Sequence, residues 1–124
     1  MSITVNSIAE DWVKYSDTEH KSSYTRPSHT SKVPRTVVFS RKPAVRSGSD
    51  LGVAGSTIKI VNGDEDADNV PRLRNSLVEI NIRDPQENAA AVLSDAIEVL
   101  IAIANHSTLL SNLANGLIPQ ADQL

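Results

Sequence analysis

The alternation of apolar and polar positions is sharpest between Arg72 and Gly116. In the run Arg72–Ile82, Val78, Ile80 and Ile82 alternate with Leu77, Glu79, Asn81 and then Arg83, the two-residue period of a strand with one face turned inward. Asp84-Pro85-Gln86-Glu87 reads as the end of that strand and the start of a helix. Asp84 would cap, Pro85 suits the first helical position, and Glu87 stands where a capping box places its carboxylate. From Ala89 to Ala104 apolar residues occupy most of the helical circumference. A helix apolar on more than one side has to be covered on more than one side, so this pattern predicts a partner chain. Asn105-His106-Ser107 interrupts it. Ser107 would cap a second helix carrying Leu109, Leu110 and Leu113, with Gly116 and Pro119 to end it, and His106 would sit as a favourable cation at the end of the first helix.

Upstream the same reading gives strands. Arg35–Lys42 puts Val37, Phe39 and Arg41 on one face and Thr36, Val38, Ser40 and Lys42 on the other. Ser56–Val61 sets Ile58 and Ile60 against Thr57 and Lys59. Ser22–Arg26 is a weaker strand ended by Pro27. Residues 3 to 15 read as a hairpin turned at Asn6-Ser7 and returning through Trp12–Tyr15; a short helix over Ile8–Val13 competes with it. Strands come first and helices last, which predicts an α+β domain with its helices on one face of an antiparallel sheet. The expected layout is one domain over residues 1–124, with the hairpin at about 1–15, the sheet at about 18–83 and the helices at about 85–116.

Composition narrows the function. The chain has no cysteine, so it offers no disulfide and no thiolate chemistry. The start Met1-Ser2-Ile3-Thr4-Val5-Asn6 lacks the basic and apolar regions of a signal peptide. Ser94, Asp95 and Glu98 interrupt the long helix, so no membrane segment is expected. Net charge is −3, unevenly spread. Between Lys21 and Ile60 eight basic residues stand against the single acid Asp50, and from Val61 onward three basic residues stand against ten acids. A basic middle in an acidic chain predicts one cationic face suited to a polyanion, with a solvated surface as the plainer alternative.

Candidate catalytic and metal chemistry fails residue by residue. Asp64, Glu65, Asp66 and Asp68 open like a calcium loop, but Asn69 stands where glycine is required and Asn75 where a bidentate glutamate is required. His20, His29 and His106 lack a ligand or base partner at useful spacing. No serine sits in a nucleophile elbow, and Gly48, Gly52 and Gly55 form no phosphate loop. Glu79 has no second catalytic group facing it. The expectation is no enzyme, no metal and no cofactor.

What remains is the sheet face opposite the helices. If Ile58, Ile60, Val78, Ile80 and Ile82 face the helices, parity sends Thr57, Lys59, Glu79, Asn81 and Arg83 to the open face, with Ser40 and Lys42 beside them. Such faces contact RNA phosphates and splayed bases. No stacking aromatic lies on this face.

The run Arg72–Ile80, the turn at Pro85, the apolar helix to His106, the ending Gly116-Leu117-Ile118-Pro119 and the strand Thr57-Ile58-Lys59-Ile60 together resemble coat proteins of single-stranded RNA bacteriophages, the levivirus type. The resemblance covers about residues 56–119. It implies an N-terminal hairpin, a five-stranded antiparallel sheet and two C-terminal helices, in an intertwined homodimer that assembles into an icosahedral shell. It implies a virion protein assembled in the host cytoplasm, with single-stranded genomic RNA, or a hairpin within it, on the inner sheet face. The matching positions are Ser40, Lys42, Thr57, Lys59, Asn75, Glu79 and Asn81. The dimer seam would run along the apolar helix through Leu93, Ile97, Leu100 and Ile101. The loop carrying Asp64, Glu65, Asp66 and Asp68 would meet neighbouring dimers around the symmetry axes. Leu77 departs from the family pattern, standing where a polar or aromatic base contact is expected, which favours packaging by charge over hairpin recognition. The competing expectation is a non-viral dimeric sheet module that binds RNA or protein without forming a shell.

Overall fold

A computed structural model describes residues 1–117; the predicted stop at Pro119 lies outside the described residues. The chain divides into two compact units, Met1–Gln86 and a second beginning at Glu87.

The first unit is all β. Strands β1 (Ser2–Val5) and β2 (Ile8–Asp11) form a two-stranded hairpin. The predicted turn at Asn6-Ser7 is present, and both residues take positive φ, 51° and 64°, as a tight two-residue hairpin requires. The return strand is Ile8–Asp11 rather than Trp12–Tyr15, because a two-residue turn pairs Val5 directly with Ile8. Val13 onward belongs to the second sheet. That sheet runs in sequential order through β3 (Val13–Asp17), β4 (Lys21–Thr25), β5 (Arg35–Lys42), β6 (Val53–Asn62) and β7 (Ser76–Pro85), antiparallel throughout.

Register ties apolar residues into rows on one face. Tyr24 lies opposite Val37, Val37 opposite Ile60 and Ile60 opposite Val78; beside them Phe39 faces Ile58, which faces Ile80. The Tyr24 and Phe39 rings meet edge-on with centroids 5.9 Å apart. Yet among the described residues Val37 is the only hydrophobic side chain that is buried, at 2% exposure, and Val78 is 52% exposed. This face is therefore organised without being closed.

The last strand begins later and ends later than its alternation suggests. Arg72 does not enter the ladder, because its backbone N–H donates to Asp64 O (2.9 Å) and its Nε donates to Asp64 Oδ2 (3.0 Å), closing the acidic loop instead. At the far end Asp84 pairs with Ala54 and Pro85 with Val53, so neither is available to start a helix. A proline is tolerated there because β7 is an edge strand and Pro85 its final residue.

The second unit holds α1 (Ala90–Ala104) and α2 (Ser107–Ala114), bent by 82° at their junction. The N-cap of α1 is Ala89, in an extended conformation and without a side-chain cap, so the expected capping by Asp84 and Glu87 is replaced by an uncapped start. At α2 the cap is His106 rather than Ser107: His106 Nδ1 accepts from Leu109 N at 3.3 Å. His106 thus serves as the capping acceptor of α2. No residue of α1 or α2 is buried, and among the described residues no single helix is long and apolar enough to cross a membrane.

Candidate nucleic-acid interface

The face of the sheet opposite Val37 and Ile58 is assembled by register. Residues directly opposite one another in antiparallel strands share a face. Lys21 lies opposite Ser40, Ser40 opposite Thr57 and Thr57 opposite Asn81. The next row runs Ser23, Val38, Lys59, Glu79, and on the other side Lys42 faces Gly55, which faces Arg83. Ser40, Lys42, Thr57, Lys59, Glu79 and Asn81, each expected from parity, thus stand together in adjacent rows.

Asn75 does not join them. It precedes β7 and lies beside Gly63 at the base of the acidic loop, its Oδ1 3.1 Å from the point a Cβ on Gly63 would occupy. Lys21 joins the face without having been anticipated, because alternation tells which way a side chain points but not which strand lies beside it. Arg83 completes the end row.

The chemistry of the face follows from its polar groups. Thr57 Oγ1 donates to Asn81 Oδ1 at 2.9 Å, which fixes the Asn81 amide and leaves its NH₂ as donors. Lys42, Lys59 and Arg83 are exposed, and among the described residues none of the three is held in an ion pair. An open hollow of about 370 Å³ at this end of the sheet touches Lys42, Thr57, Asn81 and Arg83, and also Arg41 and Ile82 of the opposite parity. Four cations, Lys21, Lys42, Lys59 and Arg83, are arrayed against one acid, Glu79, with hydroxyl and amide groups between them. Point charges on flexible stems beside neutral donors can engage phosphates and base edges. The row Thr25, Thr36, Val61, Leu77 carries aliphatic groups at the other end of the same face, and none of these residues is aromatic.

The acidic loop is built for shape. Asp66 Oδ1 accepts from Asp68 N (2.9 Å) and Val70 N (3.0 Å), so its carboxylate serves the turn. The Asp64 carboxyl is held below the usual range by a hydrogen bond from the Glu65 backbone N–H, then by Arg72. Glu65 and Asp68 remain exposed at the surface. Among the described residues no three histidine or acidic side chains converge as metal ligands.

The expected seam residues sit on α1. Ile97, Leu100 and Ile101 are 37%, 42% and 46% exposed, and Leu93 is half-buried. Val92 and Val99, 56% and 54% exposed, widen the same apolar surface.

No family model matches the chain, and no curated sequence matches it significantly. Solved structures do. The subunit of the virus-like particle of bacteriophage AVE019 superposes with a TM-score of 0.71 at 12% identity, over 97% of this chain and 96% of that one. The virus-like particle of bacteriophage GQ-907 gives 0.73 at 13% identity, over 96% and 90%. That of Wenzhou levi-like virus 4 gives 0.72 at 14%, over 93% and 88%. The fold, a hairpin, a five-stranded antiparallel sheet and two C-terminal helices, is that of the levivirus-type coat protein.

Proposed function

We propose that this chain is a capsid subunit that dimerises, assembles into a shell and holds single-stranded RNA against the polar face of its sheet. The observation that carries the reading is the extent of the likeness to shell-forming subunits, which spans 97% of this chain and 96% of the other.

The free edges of the sheet favour a particular dimer. β3 has five residues, a register irregularity between Lys14 and Ser16, and a Lys14–Asp17 ion pair on its own strand. Bulges and lysines are devices that discourage edge pairing. β7 has ten residues paired to β6 without a shift, so its outer edge is long, regular and unguarded. A second copy added there by a two-fold axis gives one continuous sheet and an isologous interface. The exposed apolar side chains of α1, and Val78 on the sheet, are then covered by the partner. Leu93, Ile97, Leu100 and Ile101 line that seam.

In the shell, the loop carrying Asp64, Glu65, Asp66 and Asp68 meets neighbouring dimers, its outline set by its own hydrogen bonds. RNA lies on Ser40, Lys42, Thr57, Lys59 and Asn81, with Lys21 and Arg83 extending the cationic rows and Glu79 interrupting them. With no aromatic in these rows to stack on, binding is led by phosphate charge. The shell assembles in the cytoplasm of the host cell.

Negative-stain electron microscopy of the expressed protein tests the reading. Uniform closed particles that protect RNA from nuclease are expected. A soluble dimer that never closes into particles would overturn it and leave a sheet module without a shell.

A further inference from the structure

The N-terminal hairpin reaches the base of the acidic loop through a chain of side chains far apart in sequence. Glu10, on β2, takes a two-pronged pair from Arg26: Nε to Oε1 at 2.8 Å and Nη2 to Oε2 at 2.8 Å. Trp12 Nε1 donates to the same Oε1 at 3.0 Å. The side chains of Arg26 and Glu10 are only 17% and 18% exposed, so water competes weakly for them. Arg26 then donates from Nη1 to Asn62 Oδ1 at 3.4 Å.

Asn62 is the last residue of β6, paired with Arg35 on one side and Ser76, the first residue of β7, on the other. The residue after it, Gly63, is buried, and its N–H donates to Pro34 O at 2.7 Å. A Cβ there would meet Pro34 Cδ at 2.6 Å and Asn75 Oδ1 at 3.1 Å. Both strands of the loop, the outgoing 62–63 and the returning 75–76, therefore converge where Arg26 holds Asn62.

We infer that the Glu10–Arg26–Asn62 chain makes the hairpin and the 63–75 loop one mechanical unit, with Glu10 as a positioning residue for a loop it does not touch. An anchor for the hairpin alone would need Arg26 to end on Glu10. Arg26 instead uses its third nitrogen on the residue where the loop departs. The fork geometry makes this specific: lysine in the same place presents all its donors from one nitrogen and cannot reproduce the two parallel bonds to Glu10 beside a separate bond to Asn62. The coupling follows from these contacts whatever the chain assembles into; in a shell, it would let whatever grips the hairpin set the angle of the loop.

Hydrogen exchange on the full-length chain tests the coupling, and it reads the same whether or not particles form. In Glu10→Ala the amides of Gly63 and Arg72, bonded to Pro34 O and Asp64 O, are expected to exchange about tenfold faster, while those of the β5–β6 ladder keep their rates. Should Glu10→Ala fail to fold, Arg26→Lys carries the same expectation, since it keeps the charge and loses the fork. Acceleration confined to residues 1–12, with Gly63 and Arg72 unchanged, would overturn the inference and leave the contact a hairpin anchor only.

Discussion

Lys59 stands directly opposite Glu79 across β6 and β7, yet no ion pair joins them. An acid in the middle of a cationic face weakens the field without neutralising a particular partner. Removing it, as Glu79→Gln, is therefore expected to strengthen polyanion binding. The affinity of the protein for a single-stranded RNA oligomer should rise several-fold at low salt and converge on the wild-type value at high salt. Filter binding across a salt series measures this, and unchanged affinity at low salt would remove Glu79 from the face.

The reverse change acts on the cations. Lys42→Ala with Lys59→Ala deletes two charges per chain that pair with no acid among the described residues. The slope of log affinity against log salt is expected to flatten by about 1.4 per chain engaged, from about 0.7 for each single-strand phosphate contact. Particles should still form, with less RNA inside, read as a lower 260/280 nm absorbance ratio. An unchanged salt slope would place the RNA elsewhere.

Much of this face was legible from alternation, because Ser40, Thr57 and Asn81 each fall on the polar side of their own strand, and the antiparallel register then sets them opposite one another. The β5 boundaries were also legible: Val37, Phe39 and Arg41 alternate cleanly, and Pro43 follows Lys42 at the end of the strand. Local pattern failed where a long-range bond decided. Arg72-Leu73-Arg74-Asn75 alternates as well as any strand, but Asp64 captures Arg72 and keeps the segment in the loop. Asp84 and Pro85 look like a helix start, yet ten residues of pairing to β6 hold them in β7. The Glu10–Arg26 pair, sixteen residues apart, leaves no periodic trace at all.

The proposed seam on the exposed apolar surface of α1 predicts how assembly would fail. Ile97→Asp or Leu100→Asp would bury an unpaired carboxylate in the seam, at about 3 kcal/mol or more per site, and a two-fold interface carries each change twice. Size-exclusion chromatography should show loss of the dimer and microscopy loss of particles. Soluble particles of normal size from either variant would put the seam off this surface.

Two glycines in the 43–52 connection separate backbone strain from steric conflict. Both have positive φ, 59° at Gly48 and 81° at Gly52. An added Cβ at Gly48 meets nothing within 4 Å, so Gly48→Ala should cost about 1–2 kcal/mol, the left-handed penalty alone. At Gly52 the same Cβ would lie 2.4 Å from Val45 O and 2.9 Å from its N and C, backbone atoms that cannot swing aside. Gly52→Ala should therefore cost clearly more, with a lower urea midpoint than Gly48→Ala. Equal midpoints would show that the connection yields freely.

Acid should loosen the hairpin clasp in a defined window. The Glu10 carboxyl is held at about 2, against an ordinary 4.5, by the hydrogen bonds from Arg26 and then Trp12, with the Arg26 charge adding to them. A carboxyl depressed on folding binds its proton more readily when unfolded, so its contribution is complete above pH 4.5 and is lost as pH falls towards 2. Asp17 and Asp64 are also depressed and add their own acid sensitivity, which makes the comparison with Glu10→Gln the informative one. Glu10→Gln cannot ionise, so wild type should exceed it in urea midpoint at pH 7, and the gap should narrow from pH 4.5 and close near pH 2. Trp12, the sole tryptophan, donates to this carboxylate, and its fluorescence reports the transition directly. A gap that stays constant down to pH 2 would mean that the ionised carboxylate is not what holds the hairpin.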